Sequence, residues 1–592
     1  MTLYSSQSYA EQNWLLEHPN YWVKKGKCHV SKISPLLLVE KNGVLRGEFL
    51  WTWNNKKGKA IITGKRSGSQ LLLSMPVPKI GGMARDYVGK KQSKTRFTGQ
   101  VSVQKYNCPS QPFTLTAVPK AAYYPKIKAK QLKNKDIRYV NGVPVMSQHK
   151  RFANFDKTMT RFMHKHYIYA ATLAVSHHGH PWLARGYGYS NPQHTKPLPP
   201  DTLMRIASIT KPFTAAAIHH LIREKKLDLD DPMLSRLSLR PFKNKWGDKR
   251  LKKITINHLL HHKGGWDRDT AFDPAFTQIQ LAKEMGVTQP LSSADILHYM
   301  LNKPLQFSPN KKKSYSNIGY LFLGEVIQQV TQKDYYANIK DYILDPIGIK
   351  HIYPAQTLIK HRHPKEIKWY TDLGYSKSIY NHKKFVRTPN GNFHLPALGA
   401  AAGLIASAPD LVKFAQHYWV NGLPRKQGKY QNKWMFGSLA GTRALLRWRT
   451  DGVDYAVLFN QRRDPLHLSQ KLYKNIRQQL DKVANAYSTT TRYAAISYSP
   501  KTGAYGFSYD YQSKYLADQR ALKYCDERAE DCRLVYSFYN SCAAFATATK
   551  DKKIYAYGLG NSEKKAKKRA LAYCHKKEDS CKVRVSLCSH KK

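Results

Sequence analysis

From residue 493 onward the chain repeats itself at a constant offset of 49 residues, and this duplication restricts its folding more tightly than any other feature. Tyr493-Ala494-Ala495-Ile496 matches Cys542-Ala543-Ala544-Phe545. Ser513, Ala517, Arg520-Ala521-Leu522 and Tyr524-Cys525 match Ser562, Ala566, Arg569-Ala570-Leu571 and Tyr573-Cys574. One fixed offset over matches so widely spread means two copies of one supersecondary unit. Each copy reads as two strands joined by a turn, a helix capped by Ser513 or Ser562, a loop between two cysteines, and a last strand.

The cysteines follow the same duplication. Of eight, six (Cys525, Cys532, Cys542, Cys574, Cys581 and Cys588) lie in the repeat, while Cys28 and Cys108 stand near the start. No CxxC pair offers zinc spacing, so they read as disulfides of an oxidising compartment. Six cysteines allow fifteen pairings, and the repeat narrows them. Cys525 and Cys532 have counterparts in Cys574 and Cys581, which is self-consistent with one bond inside each unit. Cys542 and Cys588 both have tyrosine counterparts, Tyr493 and Tyr539, and joint replacement marks the two partners of one bond. Cys28 and Cys108 are left to pair with each other. The start, Met1-Thr2-Leu3-Tyr4-Ser5-Ser6, lacks the charged and apolar regions of a signal peptide. A removed leader reconciles it with export to the periplasm or medium.

At 592 residues the chain exceeds one hydrophobic core, and 42% hydrophobic with 12% aromatic residues exclude a disordered chain. Its 98 Lys and Arg against 39 Asp and Glu leave a net charge of +59. Such a field attracts polyanions in general. The basic residues run through the whole chain, and no zinc finger, RNA-recognition signature or basic zipper accompanies them. A non-specific anionic envelope polymer is therefore the partner expected, with no specific nucleic acid. No apolar run reaches the ~18 residues of a spanning helix, and no pattern calls for a metal or cofactor.

Residues 1–118 read as an all-β domain, with alternating runs at 45–53, 70–75 and 98–104 between Gly, Asn and Lys turns. Residues 119–150, rich in Lys, Pro and Tyr, read as a linker. Residues 151–487 mix strands (169–176, 443–449, 454–460) with helices (210–225, 318–331, 468–486) and form an α/β domain; residues 490–592 hold the Cys-rich duplicated α+β domain.

The chemistry lies in the central domain. Ser208-Ile209-Thr210-Lys211 sets a hydroxyl and an amine three residues apart at the mouth of an apolar helix, where they share a face. A neutral lysine there accepts the serine proton, and the helix N-terminus favours developing negative charge. The motif alone is weak, since Ser308 to Lys311 and Ser562 to Lys565 repeat it idly. Tyr315-Ser316-Asn317, leading straight into an apolar helix, supplies the company it needs. A phenol beside a cationic lysine has its ionised form stabilised and serves as base, then as acid to the leaving group. Asn317 either holds the substrate carbonyl or fixes Lys211.

With both boxes in view, the segment 205–232 resembles the nucleophile helix of class C β-lactamases, D-aminopeptidases and their esterase relatives. So do Ile254-Thr255-Ile256-Asn257-His258-Leu259-Leu260-His261-His262-Lys263-Gly264-Gly265-Trp266, the turn Asp345-Pro346-Ile347-Gly348-Ile349, and 400–414 with Gly403, Ser407 and Asp410. The resemblance covers roughly 165–480. It implies a central domain of antiparallel sheet and helical subdomain, catalytic Ser208, Lys211 and Tyr315, substrate-binding Asn317, and an architectural His262. Relatives carry Lys-Thr-Gly or His-x-Gly as a third box, whereas this chain has Trp434-Met435-Phe436-Gly437-Ser438. Met435 stands where a cation or imidazole would anchor a substrate carboxylate. Gly437 still allows close backbone approach, and the Ser438 and Ser208 N–H groups can form an oxyanion hole without any particular side chain. A literal Lys501-Thr502-Gly503 falls in the repeat, opposite Lys550-Asp551-Lys552, and reads as a hairpin turn. The C-terminal repeat resembles an uncharacterised domain of exported bacterial proteins.

Three functions follow from these residues: an exported serine hydrolase acting on esters or amides through a Ser208 acyl-enzyme, a D,D-peptidase or D-aminopeptidase on peptidoglycan fragments, or a weakly catalytic relative that binds anionic envelope polymer.

Overall fold

A computed structural model describes the chain apart from residues 1–11, 25–26, 42–43, 54–55, 68–69, 76–84, 94–95, 104–107, 119–136, 147–151, 167, 192–193, 272, 371–374, 382–384, 427–430, 463–465 and 590–592. The first part is a closed antiparallel barrel of eight strands in meander order: β1 (Gln12–Lys24), β2 (Lys27–Lys41), β3 (Val44–Trp53), β4 (Lys56–Ser67), β5 (Gln70–Met75), β6 (Arg85–Ser93), β7 (Arg96–Val103) and β8 (Cys108–Val118). Pairing of β1 with β8 closes it and removes every edge. Leu71 and Leu73 are buried while Leu72 between them is 55% exposed, the alternation a barrel wall requires. The Cys28 and Cys108 side chains, and so their expected bond, lie outside the described residues.

The expected linker at 119–150 requires correction. Within it β9 (Ile137–Val140) and β10 (Val143–Met146) form a hairpin, and β10 pairs with a strand of the central sheet. Asn141 and Gly142 supply the two positive φ angles, 49° and 75°, of a tight hairpin turn. That signal sits beside a Lys- and Pro-rich stretch, which masked it.

The central sheet is assembled from both ends of its domain. Helix α1 (Ala153–His166) precedes β11 (Ala170–His177) and β12 (His180–Gly188). A long helical excursion follows, opening with the short strand β13 (Met204–Arg205) and α2 (Thr210–Arg223). It continues through α3 (Ile256–Leu260), α4 (Arg268–Ala271), α5 (Gln278–Met285), α6 (Ser293–Leu301), α7 (Asn317–Thr331), α8 (Tyr335–Ile339), the small strands β14 (Ile352–Pro354), β15 (Tyr375–Lys377) and β16 (Phe385–Arg387), α9 (Gly399–Ala402), β17 (Leu404–Ala406) and α10 (Ala408–His417). The chain then returns as β18 (Lys433–Leu439), β19 (Thr442–Trp448), β20 (Val453–Phe459) and α11 (Leu466–Thr490). The strand order is β18-β19-β20-β11-β12-β10-β9. Ala171, Leu173 and Val175 of β11 point to a core shared with α1 and α11. Ala170 and Ala174, one residue out of phase, face the helical side, where Phe213, Ala216 and Ile218 of α2 join residues of α7 and α10. Buried between sheet and helices, α2 is apolar nearly all round.

The duplicated units fold alike, as three-stranded sheets β22-β21-β23 and β25-β24-β26. The first comprises β21 (Tyr493–Tyr498), β22 (Tyr505–Tyr511), α12 (Lys514–Asp526) and β23 (Arg533–Tyr539); the second comprises β24 (Cys542–Ala548), β25 (Tyr555–Gly560), α13 (Glu563–His575) and β26 (Cys581–Cys588). Ser513 and Ser562 cap the two helices as expected, and the Lys501-Thr502-Gly503 turn joins β21 to β22, with Gly503 at φ 82°. Tyr498, Phe538, Phe545 and Leu587 share a core between the units.

All three expected C-terminal disulfides are present: Cys525 to Cys532, Cys574 to Cys581, and Cys542 to Cys588 with Cα atoms 3.8 Å apart. Cys542 and Cys588 are directly opposed on β24 and β26. Their counterparts Tyr493 and Tyr539 are opposed in the same way, with ring centroids 5.5 Å apart, so a bond in one copy is an aromatic pair in the other. The Tyr493 hydroxyl also meets His177 Nδ1 at 2.5 Å, tying the first unit to β11. Loop-closure entropy ranks these bonds. Cys542 to Cys588 spans 46 residues and is worth ~4 kcal/mol, against roughly 2.4 kcal/mol for each seven-residue loop. The pair Cys542→Ser/Cys588→Ser should therefore lower the unfolding midpoint of the chain in a calorimetric or denaturant scan more than Cys525→Ser/Cys532→Ser. Equal losses would show that loop length is not the governing factor.

Candidate active site

Ser208 sits in the 3-10 turn Ala207–Ile209, between β13 and α2. The segment entering that turn is held from several directions. The Arg205 N–H donates to the Tyr370 hydroxyl at 3.0 Å, its carbonyl accepts from Thr442 Oγ1 at 2.9 Å, and its buried guanidinium donates to the Pro389 carbonyl at 2.8 Å. Ala207 is thereby kept at φ 49°, in the left-handed region that costs a Cβ-bearing residue ~1–2 kcal/mol. Strand β18 presses on the same turn. A Cβ at Gly437 would come within 2.0 Å of the Ile206 carbonyl oxygen, so glycine is required there, as the sequence suggested.

Lys211 lies in the first turn of α2, fully buried. Its Nζ is 3.4 Å from Ser208 Oγ and donates to Asn317 Oδ1 at 2.6 Å and to the Ala401 carbonyl at 2.7 Å. Burial lowers the amine to about 7, with Asp273 opposing and Arg268 reinforcing the shift. Burial thus favours the neutral amine relative to an exposed lysine. The two carbonyl oxygens occupy two N–H groups of a neutral amine, and its lone pair is left for the Ser208 hydroxyl.

The Tyr315 hydroxyl donates to Ser208 Oγ at 2.7 Å. Ser316 next to it caps α7 by accepting from the Gly319 N–H, which sets Asn317 at the head of that helix. The expectation of a stabilised phenolate needs correction. Burial raises Tyr315 to about 12, outweighing its hydrogen bond to Ser208 and the pull of Arg268, so the phenol stays protonated. Lys211 is depressed by the same burial. Arg268 lies over the Tyr315 ring with Cζ 4.6 Å from its centroid, and Lys211 Nζ is 4.8 Å from that centroid.

Asn317 was expected to hold either a substrate carbonyl or Lys211, and its contacts favour Lys211. Oδ1 accepts from the amine and Nδ2 donates to Asp273 Oδ2 at 2.6 Å. His262 is architectural: its Nδ1 accepts the Ser316 N–H at 3.3 Å, its ring lies against Tyr315 and Tyr320, and burial depresses it to about 3. Met435 packs on the same apolar cluster as α2 and brings no charge to the site. Ser438 is opposite Arg443 in the β18–β19 ladder, and its buried Oγ has no hydrogen-bond partner among the described residues. Sequence reasoning missed Asp273 and Arg268; both precede a Tyr-x-Asn box they touch only after folding. Among the described residues no His, Cys, Asp and Glu grouping could hold a metal ion, and no helix is long and apolar enough to cross a membrane.

An antiparallel sheet flanked by helices, with a serine, a buried lysine and a tyrosine converging at the head of a central helix, defines a serine-hydrolase type of fold and site. The chain belongs to the serine β-lactamase and penicillin-binding protein superfamily: the Beta-lactamase family model matches residues 155–474. Residues 493–588 match a domain of unknown function, DUF4189. Protein flp of Staphylococcus aureus (strain MW2) is 30% identical over 208 residues, which are 35% of this chain and 39% of that protein. The chain thus aligns with well under half of that relative. Among solved structures, the D-amino acid amidase from Ochrobactrum anthropi SV3 shares 18% identity at a TM-score of 0.41, covering 57% of this chain and 99% of the other. The octameric penicillin-binding protein homologue from Pyrococcus abyssi shares 19% at 0.41, covering 69% and 96%.

Proposed function

We propose that this chain is an exported serine hydrolase that forms an acyl-enzyme on Ser208 from an ester or amide with no strict need for a carboxylate. The observation that carries this reading is the Ser208 hydroxyl held between a proton-donating Tyr315 and a buried Lys211 whose amine is poised near neutrality.

Neutral Lys211 accepts the Ser208 proton as Oγ attacks the carbonyl carbon. The oxygen gains negative charge, and the main-chain N–H groups of Ser208 and Ser438 receive it. As the tetrahedral intermediate collapses, the leaving group takes a proton from the Tyr315 phenol, which regains it from the Lys211 ammonium. Water then repeats the sequence on the acyl-enzyme, releasing the acid and restoring Ser208. Export is supported by three disulfides in the C-terminal units, which persist only under oxidising conditions. The net charge of +59, with Lys564, Lys565, Lys567 and Lys568 all exposed on α13, suits retention on an anionic envelope polymer.

Met435 separates ester hydrolysis from penicillin hydrolysis. A thioether makes no charge-assisted bond to a carboxylate, and one such bond is worth ~1.5–3 kcal/mol, or about 10- to 100-fold. Turnover of a short-chain nitrophenyl ester should therefore exceed that of benzylpenicillin by at least that factor in kcat/KM. Faster hydrolysis of the penicillin would refute the substrate class and point to another cation, such as Arg268, as its anchor.

A further inference from the structure

Both ends of the Asn317 amide are committed, and they are committed asymmetrically. Oδ1 accepts from Lys211 Nζ and Nδ2 donates to Asp273 Oδ2, each at 2.6 Å. An amide can rotate by half a turn at little steric cost, so its partners decide which end faces which. The Ala401 carbonyl and the Ser208 hydroxyl do not decide it, because neither touches the amide. An ionised carboxylate does, since it only accepts; burial raises Asp273, against the Asn317 hydrogen bond and the Arg268 and Lys211 charges that favour its ionised form. The carboxylate is itself anchored: Asp273 Oδ1 accepts the Ala275 N–H at 3.3 Å, capping the turn Pro274–Phe276, and Arg268 Nη1 stands 4.0 Å from Oδ2.

We propose that Asp273 is a positioning residue of this active site, acting through Asn317 to direct the lone pair of Lys211 at Ser208. The proposal rests on the reading of Lys211 as the base. Its logic is one of hydrogen-bond polarity. With Oδ1 toward the lysine, the amine spends an N–H on Asn317 and keeps its lone pair for the serine. With the amide reversed, Asn317 Nδ2 donates to that lone pair and the serine loses its proton acceptor. Asp273 prevents the reversal.

The groups around the amine define what a pH profile should read. Asp273 favours the ammonium, Arg268 opposes it, Tyr315 is a neutral phenol, and His262 is neutral because of its burial. Removing the Asp273 charge lowers the midpoint at which Lys211 deprotonates; moving a carboxylate next to the amine raises it.

The test compares full-length wild type, Asp273→Asn, and the exchange Asp273→Asn/Asn317→Asp, following the rate of covalent labelling by a fluorophosphonate from pH 5 to 10. In the exchanged pair the carboxylate at position 317 accepts both from Lys211 and from the amide at position 273, so the original polarity at the lysine is rebuilt. Asp273→Asn should lower the plateau rate by ~10- to 100-fold, the scale of a misdirected catalytic group, and move the midpoint down. The exchange should recover most of the plateau with its midpoint moved up. An unchanged plateau in Asp273→Asn overturns the proposal. So does an exchange no faster than the single variant when both unfold at the wild-type temperature. Failure of the underlying reading is separate: it shows as labelling at the wild-type rate in Lys211→Arg, irrespective of Asp273.

Discussion

Ser208→Ala is expected to abolish fluorophosphonate labelling and to lower ester turnover by ~10⁴-fold or more, since losing the nucleophile removes the covalent route and leaves only binding and the oxyanion hole. The fold should survive. Ser208 is half-buried, and its loss leaves one phenol, Tyr315, short of an acceptor. That costs about 1 kcal/mol, so the thermal midpoint should move by only a few degrees. Labelling that persists in Ser208→Ala, mapped by peptide mass, would place the nucleophile elsewhere. Ser308 and Ser562, two of the other Ser-x-x-Lys positions, are poor substitutes. Ser562 caps α13, and Ser308 accepts from Arg250 Nη1 at 3.1 Å.

How far the sequence alone could reach depended on whether a residue's role is encoded near it in the chain. The Ser208 and Lys211 pair is local, set by helix periodicity, and so was readable. The repeat converted a distant pairing, Cys542 with Cys588, into a local comparison of two aligned copies, which is why that bond could be named among fifteen possibilities. The hairpin at 137–146 was hidden because Asn141-Gly142 sits beside a stretch whose composition reads as a linker. Barrel closure was equally hidden, since pairing of β1 with β8 joins segments about a hundred residues apart and alternation cannot distinguish a barrel from an open sheet.

The site's electrostatics were the least legible part. A tyrosine near a lysine suggests a phenolate only if the lysine is charged, and burial answers that question. The same desolvation that raises Tyr315 to about 12 lowers Lys211 to about 7. One physical cause thus turns both groups toward their neutral forms, which is why the proposed first proton acceptor is Lys211. Asp273 escaped notice for a related reason. It meets Asn317 across 44 residues of chain, in a loop with no periodicity of its own.

The second large effect is expected at Lys211, where Lys211→Arg distinguishes a base from a mere cation. A guanidinium can still donate to Asn317 Oδ1 and the Ala401 carbonyl, but it has no lone pair to offer and does not lose its proton in a protein. Lys211→Arg should therefore label as slowly as Lys211→Ala, ~10²- to 10⁴-fold below wild type, the range for a lost general base. Lys211→Ala carries an added structural cost because it strands two acceptors, Asn317 Oδ1 and the Ala401 carbonyl. The arginine variant is the cleaner measurement for that reason. In wild type the labelling rate should rise with pH about an apparent midpoint near 7, because the amine depressed to about 7 reacts only after losing its proton. Below that midpoint the rate should fall close to tenfold per pH unit. Above it the rate should stay level to about pH 10, since Tyr315, raised to about 12, remains protonated throughout. Both lysine variants should lack the limb at 7 altogether. Labelling of Lys211→Arg at the wild-type rate, with the limb still in place, would show that the proton leaves Ser208 toward another group and that Lys211 contributes only its charge.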